Sequence, residues 1–171
     1  MADDALSGCW AKLTRVLELI SAIEQAERDY LNTDPPPVWV KGAHEGSDFV
    51  FRAFGPENAP ERFSVLAGEI IHHLRTCLDH VVWALATKYS GLPSGRIQFP
   101  ICDKRAGFDE ALKKGILRGI RAEAIKIIES VQPFTSNGSP RETILYVLHH
   151  LDIQDKHKLL LVTATAAELA K

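Results

Sequence analysis

Cysteine is scarce and falls in no pattern: Cys9, Cys77 and Cys102 are odd in number, and none belongs to a CxxC spacing. That excludes a disulfide framework and a zinc ribbon, and it makes a reducing cytoplasm the natural compartment. Long apolar runs are missing too, since a membrane-spanning helix needs about 20 consecutive apolar residues. The start, MADDALSGCW, opens on acids and lacks the apolar core of a signal peptide. Charge of one sign is not in excess either. A formal charge of −2 and a pI near 6.4 exclude a wholly basic nucleic-acid binder but not a local basic patch. There are no internal repeats and no low-complexity tract. These absences predict a soluble cytoplasmic protein with no membrane partner.

What the chain has is apolar content and helical periodicity. With 171 residues, 46% of them hydrophobic, it is long enough to bury a core as one domain, 1–171. In residues 6–30, Leu6, Cys9, Leu13, Val16, Ile20, Ile23 and Tyr30 mark an apolar stripe of helical period. The proline run within residues 32–37 ends that helix. Residues 38–41 and 48–52 are β-branched and aromatic around a turn-rich loop, 42–47. They predict a β-hairpin over about 38–54, lying against one end of a bundle, with Trp39, Phe49 and Phe51 covering the core.

The stretch with most chemistry is GEIIHHLRTCLDHVVWALATKY, residues 68–89. Ile70, Leu74, Cys77, Leu78, Val81 and Leu85 predict one buried helical face. The same stretch carries Glu69, His72, His73, Arg75, Asp79 and His80. A second mixed stretch, HHLDIQDKH, occupies 149–157. The expectation is that the two segments pack together and build one polar site. Between them, IQFPIC at 97–102 predicts an extended segment pinned across the bundle, 108–114 a short helix, and 122–131 another that Pro133 closes. Ser139, Pro140 and Glu142 have the pattern of a capping box with proline at the first helical position. The helix they start either runs on to Leu169 or breaks so that Asp155 caps a new one. The fold class is therefore mainly α, a helical bundle of four to five helices with a small β-hairpin inserted after the first helix.

Two chemistries and a structural role fit these residues. Glu69 and His72 have the Glu-x-x-His spacing of carboxylate-bridged di-iron bundles, but the pattern occurs once. A mononuclear zinc or iron site would draw on His73, His80, His150 and His157, each pair being seven residues apart on a helix. Alternatively, Arg75 and His80 suit metal-free phosphodiester chemistry, the histidine as acid or base and the arginine on the phosphate. Around Lys104 to Lys126, seven cations stand against Asp109, Glu110 and Glu123, a locally positive segment that would help hold an RNA backbone. The structural role is that the histidines are hydrogen-bonded within the core, that Asp155 and Lys156 belong to a solvated helical turn, and that the cations line a solvated helix face.

The Arg-x-x-x-x-His spacing of Arg75 and His80 resembles that of the HEPN (higher eukaryotes and prokaryotes nucleotide-binding) helical domains. That resemblance implies a metal-independent ribonuclease whose site forms in a homodimer, with RNA as partner, in a toxin or phage-defence setting. Thr76 stands where those motifs often have an amide, histidine or acid, and the motif commonly lies in a later helix. The ordered set GEIIHHLRTCLDHVVWALA, IQFPI, IESVQPF and LHHLDIQDKHKLLLV, over about residues 36–165, resembles an uncharacterised bacterial family of cytoplasmic helical proteins. It implies a shared fold and a polar site of Arg75, Asp79, His80, Asp155, Lys156 and His157; within such a site Asp79 pairs with Lys156 or orients a neighbour, and His157 is a candidate second acid or base. It brings no established reaction and no cofactor. Relatives of that kind continue past the last helix, so this chain reads as a short version.

Overall fold

In the computed structural model the described residues are 5–35, 37, 39–46, 48–55, 60–91 and 95–157. Five α-helices and one β-hairpin follow in the order α1 (Ser7–Leu31), β1 (Trp39–Glu45), β2 (Asp48–Phe54), α2 (Glu61–Ser90), α3 (Arg105–Lys113), α4 (Ala122–Ser130) and α5 (Ile144–His157). The mainly α fold with a hairpin after the first helix is as the sequence predicts. No described helix is long and apolar enough to cross a membrane.

The central element is α2, which has neighbours on two opposite sides. On one side α1 runs antiparallel to it: Tyr30 meets Phe63 edge-on at 5.8 Å, Arg15 reaches Glu69 at 3.8 Å, and Cys77 Sγ lies 3.6 Å from the Cys9 carbonyl. The α1 seam consists of Cys9, Lys12, Val16, Leu19, Ile23, Ala26 and Tyr30, every one buried or half-buried. This is the alternating three- and four-residue spacing of two helices packed along their length. It differs from the predicted stripe by a small rotation, which buries Leu19 and Ala26 and leaves Ile20 exposed.

On the other side of α2 lie α5 and the extended segment 96–102. The main core gathers at its C-terminal half, where Val82 and Ala86 pack with Phe99, Phe108, Leu117, Ile120 and Ile128. The predicted single apolar face of α2 is therefore corrected. Ile70, Leu74, Leu78, Val81 and Leu85 are only half-buried, whereas Ser64, Gly68, Arg75, Val82 and Ala86 face one neighbour and Phe63, Cys77 and Ala84 face the other. Small residues permit the close approach on both sides. A Cβ built on Gly68 would overlap the carboxylate of Asp155 on α5, and one built on Gly8 would lie 2.8 Å from the His80 ring.

The segment 96–102 is pinned as predicted, by two polar clamps. Arg75 and Asp79 hold the backbone of Phe99, while Gln132 donates to the Pro100 carbonyl and accepts from Cys102 N–H. Two expectations need correction. The strands extend further than predicted, with Glu45 opposite Asp48, and they pair chiefly with each other rather than with the bundle. Phe49 and Phe51 pack on the hairpin's own Gly42 and remain 43% and 49% exposed, so they do not cover the core. The side chain of Trp39 lies outside the described residues. In addition, Pro140–Glu142 forms a 3-10 turn instead of the start of α5. Thr143 is extended, and its hydroxyl accepts the Tyr146 N–H at 3.4 Å, so the helix begins at Ile144. It passes through Asp155 without a break, and its predicted course beyond His157 lies outside the described residues.

Candidate functional site

Arg75 is a long cation on the core-facing side of α2, where an unbonded guanidinium would be costly. Its Nη1 donates to Asp79 Oδ1 at 2.8 Å and its Nη2 to the Phe99 carbonyl at 2.9 Å, while Asp79 Oδ1 also accepts the Phe99 N–H at 2.8 Å. The Arg75 side chain is only 9% exposed. Asp79 therefore pairs with Arg75, not with Lys156.

His80 is on the other side. Five residues at 3.6 per turn separate two side chains by roughly 140°, and the His80 ring lies against Gly8 of α1. Within one chain Arg75 and His80 therefore point to different sides of α2, one toward Phe99 and the other toward α1. Asp155 packs against Gly68, between α5 and α2. His157 ends α5, and its side chain lies outside the described residues.

Of the four histidines that could share a metal, three make separate contacts, and the side chain of the fourth, His157, lies outside the described residues. The Nδ1 of His73 lies 3.4 Å from Lys12 Nζ, His80 sits on Gly8, and His150 stacks on Tyr146 with centroids 6.1 Å apart and planes 12° from parallel. Among the described residues no group of three or more His, Cys, Asp or Glu is placed to share an ion. Burial, with Lys12 and His72 adding to it, holds the His73 imidazole below its usual value.

What the α2–α5 contact does bring together is His72, Asp152 and Lys156. His72 Nδ1 is 3.2 Å from Asp152 Oδ1, and Lys156 Nζ donates to Asp152 Oδ2 at 2.6 Å. Asp152 is 3% exposed, whereas His72 is 52% and Lys156 51% exposed. Burial pushes the Asp152 carboxyl up, but the hydrogen bonds from Lys156 and His72 outweigh it and hold it below the usual carboxylate range. With its Nδ1 toward that carboxylate, the His72 ring has its Nε2 free to exchange protons with whatever approaches from solvent. On the same helix as Asp152, His149 is half-buried with an unpartnered Nδ1 among the described residues; burial, and then the Arg75 charge, lower its proton affinity.

No family model, curated protein or solved structure matches this chain. The site must therefore be judged on its own geometry.

The sequence places His72 in the polar stretch of α2 and in a Glu-x-x-His spacing with Glu69, and assigns Asp152 no role. The available signal was spacing: Asp152 and Lys156 are one helical turn apart, so both can face one residue of a neighbouring helix.

Proposed function

We propose that the chain is a metal-independent RNA-cleaving protein, HEPN-like in its helical frame, with His72 rather than an Arg75–His80 pair of one protomer as the acid–base group. The observation that carries this is the pairing of a half-exposed His72 with a buried Asp152. A buried carboxylate behind an imidazole fixes its tautomer and stabilises the imidazolium that forms when it takes a proton. Lys156 sits on the same carboxylate and supplies a cation for a phosphoryl oxygen.

In the reaction this supports, His72 Nε2 takes the proton of a ribose 2′-hydroxyl, the O2′–P bond forms and the P–O5′ bond breaks. The departing 5′-oxygen takes a proton from water, and the resulting hydroxide is neutralised by the proton held on His72. No metal and no redox partner enters that balance. Arg75 and Asp79 hold the backbone of Phe99 against α2. A cytoplasmic location belongs to the proposal, because Cys9, Cys77 and Cys102 are free thiols that a reducing compartment preserves.

A second reading, a non-catalytic binding and assembly module, is favoured by the Arg75–Asp79 clamp, in which the motif's own arginine is occupied by backbone and carboxylate. Cleavage of mixed RNA in excess EDTA separates the two. The unmodified chain, His72→Ala and His80→Ala are compared at matched folding by circular dichroism. Loss in His72→Ala with activity kept in His80→Ala supports the proposal. Loss in His80→Ala alone moves the centre to His80 and to a shared dimer site. No cleavage by the unmodified chain leaves the assembly reading.

A further inference from the structure

The cations of residues 104–126 are not spread evenly over the surface. At the start of α3, Arg105 bonds both Asp109, at 2.9 Å, and Glu129, so its own charge is neutralised locally. At the other end the chain turns through Gly115 and Gly119, both at positive φ, and packs against the last turn of α2. The approach is close: a Cβ on Gly119 would overlap the Ser90 hydroxyl. That packing places the Arg121 guanidinium 4.1 Å from the centroid of the Tyr89 ring, with Lys88 Nζ 5.7 Å from it. Arg118 folds back over Gly115, its Nη2 only 3.2 Å from where a Cβ would stand.

Lys114 is paired with Glu110. Among the described residues, Lys88, Lys113, Arg118 and Arg121 have no carboxylate within ion-pair reach, and all four are exposed. In a chain whose net charge is −2, an open cluster of this kind is a local feature and not an average one. Stacking on Tyr89 also restrains Arg121, so less side-chain freedom is lost when it binds an anion.

We infer that this corner, formed by the last turn of α2 and the 113–121 turn, binds the phosphates of single-stranded RNA. The inference rests on the RNA reading above and adds where the polymer is held. A guanidinium restrained on an aromatic ring, with further cations alongside, suits successive phosphates of one strand better than an isolated anion. Tyr89 lies seventeen positions along α2 from His72, about 25 Å at the helical rise. At one phosphate per 3.4 Å of a stacked strand, that is about seven nucleotides. RNA held at the corner would thus be cut about seven nucleotides away, and fragments too short to span the interval would bind without being cut.

The test is fluorescence anisotropy with a labelled single-stranded RNA of about twelve nucleotides, in the His72→Ala background so that the probe stays intact. Joint Arg118→Glu and Arg121→Glu substitution is expected to weaken binding more than tenfold. It should also flatten the slope of log affinity against log salt by about 1.4, since each phosphate contact contributes about 0.7 on a single strand. Arg118→Gln alone, which leaves the Tyr89 stack in place, should lose about half that slope. Arg105→Gln, which removes a cation already paired with two carboxylates, should change affinity less than twofold. Equal affinity and slope in the double variant overturn the assignment, as does tighter binding to anionic phospholipid vesicles than to the RNA. Binding that depends on the two arginines, in a chain that never cleaves, sustains the corner while sinking the His72 reading. Cleavage with arginine-independent binding does the reverse.

Discussion

Two acid–base pairs on α2, less than one turn apart, are built in opposite senses. In the Arg75–Asp79 pair the cation is buried, at 9% exposure, and the acid is 39% exposed. In the His72–Asp152 pair the acid is buried, at 3%, and the base is 52% exposed. The first arrangement turns a charge inward, where its N–H groups are taken up by a carboxylate and a backbone carbonyl; it fixes the position of Phe99 and has little left for a ligand. The second hides the group that orients and exposes the group that reacts. Which partner is buried, more than which residue types are paired, separates a clamp from a candidate site.

The comparison breaks first at Arg75. Arg75→Ala leaves Asp79 without its cation and a buried Phe99 carbonyl without its donor, and the expected cost is about 3 kcal/mol. A urea midpoint close to that of the unmodified chain would mean that Phe99 is held by apolar packing alone. Arg75→Lys keeps the charge but cannot reach both acceptors with a planar fork, so it should fall between the two. Asp152→Asn should cost less, about 1–2 kcal/mol, because His72 and Lys156 are half-exposed and regain water when the carboxylate is lost. Its sharper readout is activity: if Asp152 positions His72, the pH profile of RNA cleavage should move in Asp152→Asn, whereas a structural role alone would lower the amount of folded protein and leave the profile in place.

How much of this was legible in the sequence depends on what each residue type signals. The long amphipathic α1, the proline stop, the hairpin and the pinned 97–102 segment are visible because apolar period, prolines and β-branched residues announce them. The true faces of α2 are not, because Gly68, Ala84, Ala86 and Ser64 are buried for their smallness and not for their hydrophobicity; a pattern of large apolar residues selects the half-buried face of Leu74, Val81 and Leu85 instead. The polar site was half legible. That 68–89 and 149–157 meet followed from their shared mixture of residues, but which histidine meets which carboxylate depends on the rotation of α5, and no residue pattern carries that angle. The Arg75–His80 spacing suggests a pair in sequence, but five residues place two side chains about 140° apart around a helix.

Gly68 offers a smaller test of the same α2–α5 contact. In an open helix, glycine to alanine stabilises by about 1 kcal/mol. Here the added methyl overlaps the Asp155 carboxylate, so Gly68→Ala should forfeit that gain and destabilise slightly. In an Asp155→Ala background the ordinary gain should return. A gain of the same size in both backgrounds would show that the helices are not in close contact at that point.

The smallest effect expected is an acid limb with two separable parts. His149 has its proton affinity lowered from 6.5 by burial and by Arg75, so the unfolded chain takes up the proton first. Its contribution to stability is complete above about pH 6.5 and fades as the pH falls toward its lowered value. His73, lowered by burial and Lys12, acts in the same direction. Asp152 is lowered from 3.8, so its contribution persists through that range and is lost only below 3.8, as the carboxylate protonates in the folded chain. The charged groups acting on His149 are Arg75 and Asp79 of α2 and Asp152 and Lys156 of α5. Two of the four are positive, and Arg75 acts most strongly. His149→Leu should therefore flatten the decline between pH 6.5 and 3.8 in urea titrations and leave the loss below 3.8 intact, while Asp152→Asn should remove the Asp152 share of the lower part and, because Asp152 raises the proton affinity of His149, slightly deepen the upper. An unchanged upper limb in His149→Leu would mean that the ring titrates as it does in water, and that the surroundings of Arg75 are wetter than those of Asp152. The contrast between a closed clamp and an open pair would then no longer hold.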